Sequence, residues 1–221
     1  MKTQRHSRSQ VANKTVHQLK ISLRDIRPSI WRRVLVPSQI RLSDLHAVII
    51  ATMPWLDYHL HQFIIAGANY GAPSPDDADF GLETLDERTV TLAELAAAPK
   101  NKFLYEYDFG DDWFHEIRVE KILPFDPMVK YPLCIAGKRC VPPEDCGGPY
   151  GYNDLLQTLS NPKNAEYKEM KRWAESLLGH KFDPEYFDIK RINKRLHKHI
   201  KLSCIKPALK RKILSKWTAY N

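Results

Sequence analysis

Two segments concentrate the residues able to do chemistry: YEYDFGDDWFHEI at 105–117 and CIAGKRCVPPEDCGGPYGY at 134–152. In the first, Asp108, Asp111 and Asp112 crowd one turn, with His115 on the outgoing side. Carboxylates this close repel unless a cation, an arginine or water offsets them. Asp and Gly are also good turn formers, so a solvated hairpin tip is the competing reading. In the second, Glu144 and Asp145 stand just before a glycine pair. An imidazole beside several carboxylates is the equipment of metal-assisted water activation, which makes Asp111, His115, Glu144 and Asp145 the candidate catalytic set. The 131–151 stretch is expected to pack on the tip at 108–115, bringing Asp111 and His115 towards Glu144 or Asp145.

Metal-type donors recur nearby. Cys134, Cys140 and Cys146 are spaced C-x5-C-x5-C, and three thiolates with His115 would make a tetrahedral site. The spacing of two to four residues usual in such sites is missing, and buried thiols are the alternative. His59 and His61 share a face if HLH lies on a strand, which suits either two-histidine ligation or half-buried packing. His59, His61, Cys134 and Cys140 are therefore the candidate metal ligands, and a divalent metal the cofactor they would take. Two tempting motifs fail. DFG lacks the glycine-rich loop, strand lysine and catalytic HRD of a kinase, and PPEDCGGPYGY lacks the lysine and Ser/Thr of a phosphate loop.

These groups need a scaffold. VHQLKISLRDI alternates with period two, and IWRRVLV follows a short turn at Arg27–Ser29, predicting a strand pair. LSDLHAVIIATM reads as a helix capped by Ser43 or Asp44 and stopped by Pro54. HLHQFIIAG is a third strand, NYGAPSPDDADFG a loop and TLAELAAAP a short helix. Phe103, Tyr105, Tyr107 and Phe109 share one face of a hairpin that turns at FGDD and returns through WFHEIRVEKIL. Residues 124–151 read as a long loop, 153–178 as helices with Asn153 as the first cap, and Gly179 as a helix stop. The fold class is α+β, with a mixed or antiparallel sheet, a strand–strand–helix–strand start compatible with a β-grasp, and helices at the C-terminal end.

The net charge of +8 over 221 residues is unevenly placed: all 26 acidic residues fall between Asp25 and Asp188. Residues 190–221 hold eleven Lys/Arg and no acid, whereas 21–189 sum to −8. Residues 1–14 read as a disordered basic N-terminus, 15–188 as one domain and 189–221 as a basic helical extension. Ile189, Ile192, Leu196 and Ile200 form an apolar stripe flanked by Arg191, Lys194, Arg195, Lys198 and Lys201. Leu209, Ile213 and Trp217 form another, flanked by Lys210, Arg211, Lys212 and Lys216. Helices of this kind dock by one side and offer charge to phosphates with the other, so DNA or RNA is the expected partner. An anionic membrane surface or a solvated terminus would also suit them. No apolar run reaches the roughly 20 residues of a membrane span. The absence of an apolar segment behind the basic start, with four cysteines, predicts a cytoplasmic protein with reduced thiols and no Cys134–Cys140 disulfide.

The ordered set RPSIWRRVLVP, LSDLHAVIIATMPW, HLHQFIIAG, YEYDFGDDWFHEI and CIAGKRCVPPEDCGGPYGY resembles the plasmid pRiA4b ORF-3-like family, some members of which are labelled TnpR-type passengers of insertion elements. The resemblance covers about 15–188 and implies an α+β domain associated with plasmids or transposable elements. It implies no established reaction, and nothing here resembles a serine-recombinase site. Trp31, His59, His61, Asp108, Asp111, Trp113, His115, Cys134, Cys140, Glu144 and Asp145 fall on the matching motifs. Cys146 departs from them, standing where an aliphatic residue is often found. Three functions compete: a mobile-element accessory protein that binds nucleic acid through its basic extension, a metal-assisted hydrolase using the His/Asp/Glu loops, and a protein-interaction module.

Overall fold

The computed structural model describes residues 14–74 and 83–202. The alternation at the start does what its period dictates. Strand β1 (Thr15–Leu23) buries Leu19, Ile21 and Leu23, and β2 (Trp31–Pro37) buries Arg32, Val34 and Val36. The two pair antiparallel with Leu19 opposite Val34. Helix α1 (Leu42–Thr52) follows, then β3 (His61–Ile65), β4 (Ala68–Gly71), β5 (Thr84–Asp86), the short α2 (Leu92–Leu95), and the hairpin β6 (Lys102–Tyr107) with β7 (Trp113–Pro124). Strand β8 (Leu133–Lys138) and helices α3 (Gly148–Ser160), α4 (Tyr167–Leu178) and α5 (Ile189–His199) complete the described chain.

All eight strands form one sheet in the order β5-β4-β3-β6-β7-β1-β2-β8, antiparallel except for the parallel β4–β5 pair. The class is α+β with a mixed sheet, and the strand–strand–helix–strand opening is present. The core gathers Phe63, Phe103, Tyr105, Tyr107, Trp113 and Ile117 from the strands with Leu45, Val48 and Ile49 from α1. Helix α5 packs against α1 and β8, sinking Ile192 and Leu196 into the same core.

Several local expectations need correction. The stretch 124–151 contains β8, which pairs with β2 despite its Pro/Gly/Cys content; Gly137 belongs there because the Phe187 ring occupies the space a Cβ would need. Helix α3 begins at Gly148, not after Asn153, because Gly147 turns the chain at φ 86° and Pro149 suits the first turn. The residue before α1 is Arg41, and no side chain caps it. Phe109 leaves the hairpin strand and is exposed, while Phe103, Tyr105 and Tyr107 are buried. Among the basic residues, Lys210, Arg211, Lys212 and Lys216 lie outside the described residues.

Candidate functional site

The hairpin tip is shaped by aspartates in the left-handed region. Asp108 (φ 61°) and Asp112 (φ 54°) take the conformation that Asp tolerates better than most residues. Asp108 Oδ1 accepts from the backbone N–H groups of Gly110 (3.0 Å) and Asp111 (3.3 Å), which closes the turn and leaves Oδ2 facing His59. Asp108 itself is buried.

The 139–148 loop seats on this tip as the sequence predicts. Asp111 Oδ2 accepts from the Gly147 N–H at 3.2 Å. Gly148 (φ 67°) lies so close that a Cβ would strike the Asp111 carbonyl oxygen. The loop is pinned from below by Glu144, buried, whose carboxylate accepts from the Tyr107 hydroxyl (2.6 Å) and the Leu56 N–H (2.7 Å). Trp55 stacks on Tyr107 with centroids 5.1 Å apart and donates its indole N–H to the Pro142 carbonyl at 2.9 Å. Burial, with the Glu144 carboxylate next in importance, pushes the Tyr107 hydroxyl pKa upward, so it stays a neutral donor.

Three segments thus meet: the 54–60 loop, the hairpin tip and the 139–148 loop. Where they meet, His59 lies between two carboxylates, with Nδ1 3.5 Å from Asp108 Oδ2 and Nε2 3.0 Å from Asp145 Oδ1. The second contact is at ion-pair distance but off the direction of a hydrogen bond, and His59 Nε2 has no hydrogen-bond partner. One donor atom each from His59, Asp108 and Asp145 lies within 4.8 Å of the others. It is the metal-capable His/Cys/Asp/Glu group among the described residues. Asp145 (φ 57°) is the exposed member.

Other predicted residues go elsewhere. His115 is fully buried, with Nδ1 2.9 Å from the Trp113 carbonyl and its ring edge-on to Trp55 and Tyr105. Burial lowers its pKa to about 4, so it is a neutral core histidine at neutral pH and not a member of the metal-capable cluster. Of the proposed catalytic set, Asp111 and Asp145 reach the junction, while Glu144 is fully engaged in pinning the loop. His59 and His61 do not share a strand face, because β3 begins only at His61. The His61 ring stacks on His46 at 3.5 Å between centroids and its Nε2 meets Glu87 at 3.0 Å. His46 in turn contacts Tyr105 Oη and Asp57. Cys134 and Cys140 are buried free thiols that belong to no metal-capable group among the described residues. Burial raises both to about 11. Asp108 is recognisable in the sequence as a turn residue, but its distance along the chain from HLH gives no hint that the two meet.

On α5, Lys190, Arg191, Lys194 and Lys198 are exposed, as is Lys201 just beyond it, whereas Ile192 and Leu196 are buried. Arg195 is turned inward, donating to the Trp55 carbonyl at 3.2 Å.

A mixed-sheet α+β domain with a His–Asp–Asp junction between its hairpin and two loops is the class of protein these features define. The chain belongs to the plasmid pRiA4b ORF-3-like protein family, whose model matches residues 15–191. It is 36% identical over 163 residues to uncharacterized protein y4hQ of Sinorhizobium fredii (strain NBRC 101917 / NGR234), covering 73% of this chain and 82% of that protein. It is also similar to the crystal structure of the protein of unknown function MM3350 from Methanosarcina mazei Go1, with a TM-score of 0.70 and 39% identity over 80% of this chain and 97% of that one. No helix among the described residues is long and apolar enough to cross a membrane.

Proposed function

We propose that this plasmid-type accessory protein holds a divalent cation between His59, Asp108 and Asp145 and uses it for hydrolytic chemistry. The observation that carries the reading is the convergence of HLH, DFGDD and PPEDCGG, three segments far apart along the chain, on one cluster of donor atoms within 4.8 Å. One imidazole and two carboxylates suit a borderline or hard ion such as Zn²⁺ or Mn²⁺. Three protein donors leave positions for water and substrate, the arrangement of catalytic rather than structural sites. A metal ligates deprotonated donor atoms, so protons compete with the ion for the cluster and metal affinity should fall as pH falls. The test is elemental analysis of protein purified without added metal and again after reloading with Mn²⁺ or Zn²⁺. Wild type should carry about one equivalent, and Asp145→Asn, at the exposed member of the cluster, much less. Equal loading of both, or of neither, overturns the reading.

A second reading is favoured by α5. Its apolar side is buried and its outward residues are Lys190, Arg191, Lys194 and Lys198, with no acid after Asp188. This geometry supports nucleic-acid binding by phosphate contact without base readout.

A further inference from the structure

Beneath α5 lies a cavity of about 30 Å³ whose lining includes three guanidinium groups, Arg32, Arg191 and Arg195, and one carboxylate, Asp188. Arg32 is 2% exposed and sits at a position that alternates with Val34 and Val36, where the strand pattern calls for an apolar side chain. It donates to the carbonyls of Thr52, Trp31, Lys138 and Arg139 and lies over the Phe187 ring at 5.0 Å. Four such bonds leave one of a guanidinium's five N–H groups without an acceptor among them. No carboxylate of the described residues forms an ion pair with it; its near neighbour Arg139 is the one that takes Glu185, at 2.7 Å. A buried cation is ordinarily paired. Burial lowers Arg32 only to about 10, so it stays charged at neutral pH.

Arg195 adds a second observation. Its Nη2 reaches the Trp55 carbonyl, but its Nε is buried with no partner. Arg191 stands at the exposed rim, Nη2 on the Leu178 carbonyl at 3.2 Å. Asp188 is occupied, its Oδ1 accepting from the Arg191 N–H at 3.0 Å and its Oδ2 within 3.5 Å of the Tyr186 hydroxyl. Three cations therefore face one committed carboxylate across largely apolar walls, where screening is weak and charge-assisted bonds are strong. The cavity exceeds the roughly 10–15 Å³ that one water needs.

We propose that this pocket binds a phosphate-class oxyanion, with Arg195 Nε, Arg191 and the free Arg32 N–H as donors. The source is either inorganic phosphate or the terminal phosphate of a nucleic acid or nucleotide; the site stands apart from the His59–Asp108–Asp145 cluster and shares Arg191 with the basic side of α5. The experiment is calorimetric titration of the full chain with inorganic phosphate at constant ionic strength, alongside a short oligonucleotide with and without a 5′-phosphate. Arg195→Gln and Arg191→Gln are the variants, because neither removes the core-forming Arg32. Saturable phosphate binding that weakens roughly tenfold or more in Arg195→Gln supports the pocket. Displacement of phosphate by the 5′-phosphorylated oligonucleotide but not by its hydroxyl counterpart assigns the source to a nucleic-acid end; no displacement by either assigns it to the free anion. An absence of saturable phosphate binding, or binding equal in wild type and both variants, overturns the proposal.

Discussion

At the scale of single residues, charge and burial set the roles more than residue type does. His115 and His59 are both motif histidines. One sits at a period-two core position between Trp113 and Ile117, while the other precedes its strand and meets two carboxylates. The period-two alternation of WFHEIRV puts His115 on the same side as Trp113 and Ile117, so its burial is legible in the pattern, whereas the acids beside it in sequence suggest a chemistry that the fold does not give it. Arg32 is legible in the same way as a core position, yet nothing local announces a cation there, because three of its four acceptors, the carbonyls of Thr52, Lys138 and Arg139, come from α1, β8 and the residue after β8. Buried histidines also make stability depend on pH. Burial lowers both His115 and His46 to about 4, whereas each returns to about 6.5 when the chain unfolds. The unfolded state therefore binds more protons than the folded state between these values, and stability falls as pH drops below 6.5. The effect should be on the order of 3 kcal/mol for His115 alone across the full window. Urea midpoints measured from pH 7 to pH 5 should decline, and less steeply in His115→Gln; a flat profile, or an unchanged slope in the variant, would contradict the buried neutral assignment.

At the scale of elements, periodicity was a good guide wherever a single element buries one face. The β1–β2 pair, α1, the β6–β7 hairpin and the amphipathic α5 follow from it. What it missed was set by partners distant in sequence: β8 exists because the edge of β2 offers it a ladder, and α3 starts early because Gly147 and Gly148 must turn against Asp111. Helix α5 illustrates how the two faces separate experimentally. Deleting from Lys190 onward would remove Ile192 and Leu196 from the core, and loss of a buried leucine side chain alone costs about 2–5 kcal/mol. The cleaner variant replaces Lys194, Lys198 and Lys201, all exposed, with alanine. It should melt close to wild type while its duplex-DNA binding weakens and its log–log salt slope loses roughly 0.9 per phosphate contact removed. Wild-type affinity and slope in that variant would end the nucleic-acid reading for this helix.

At the scale of the whole molecule, the sheet brings together chemistry that the chain keeps apart. His59 precedes β3, Asp108 ends the neighbouring β6, and the pairing of His61 with Tyr107 sets these two side by side. Asp145 arrives from the far end of the sheet, carried by the loop after β8 and fixed through Glu144, Tyr107 and Trp55. The sequence made the participating loops recognisable and their mutual packing expected, but the partition of six acids and histidines between ligands, loop pins and core needed the three-dimensional register. That partition is the central claim, and anomalous diffraction from crystals soaked in Mn²⁺ tests it most directly. The account predicts one dominant peak at coordination distance, about 2.0–2.2 Å, from a His59 ring nitrogen and from carboxylate oxygens of Asp108 and Asp145. No peak at that junction, or a dominant peak held by other residues, would contradict it.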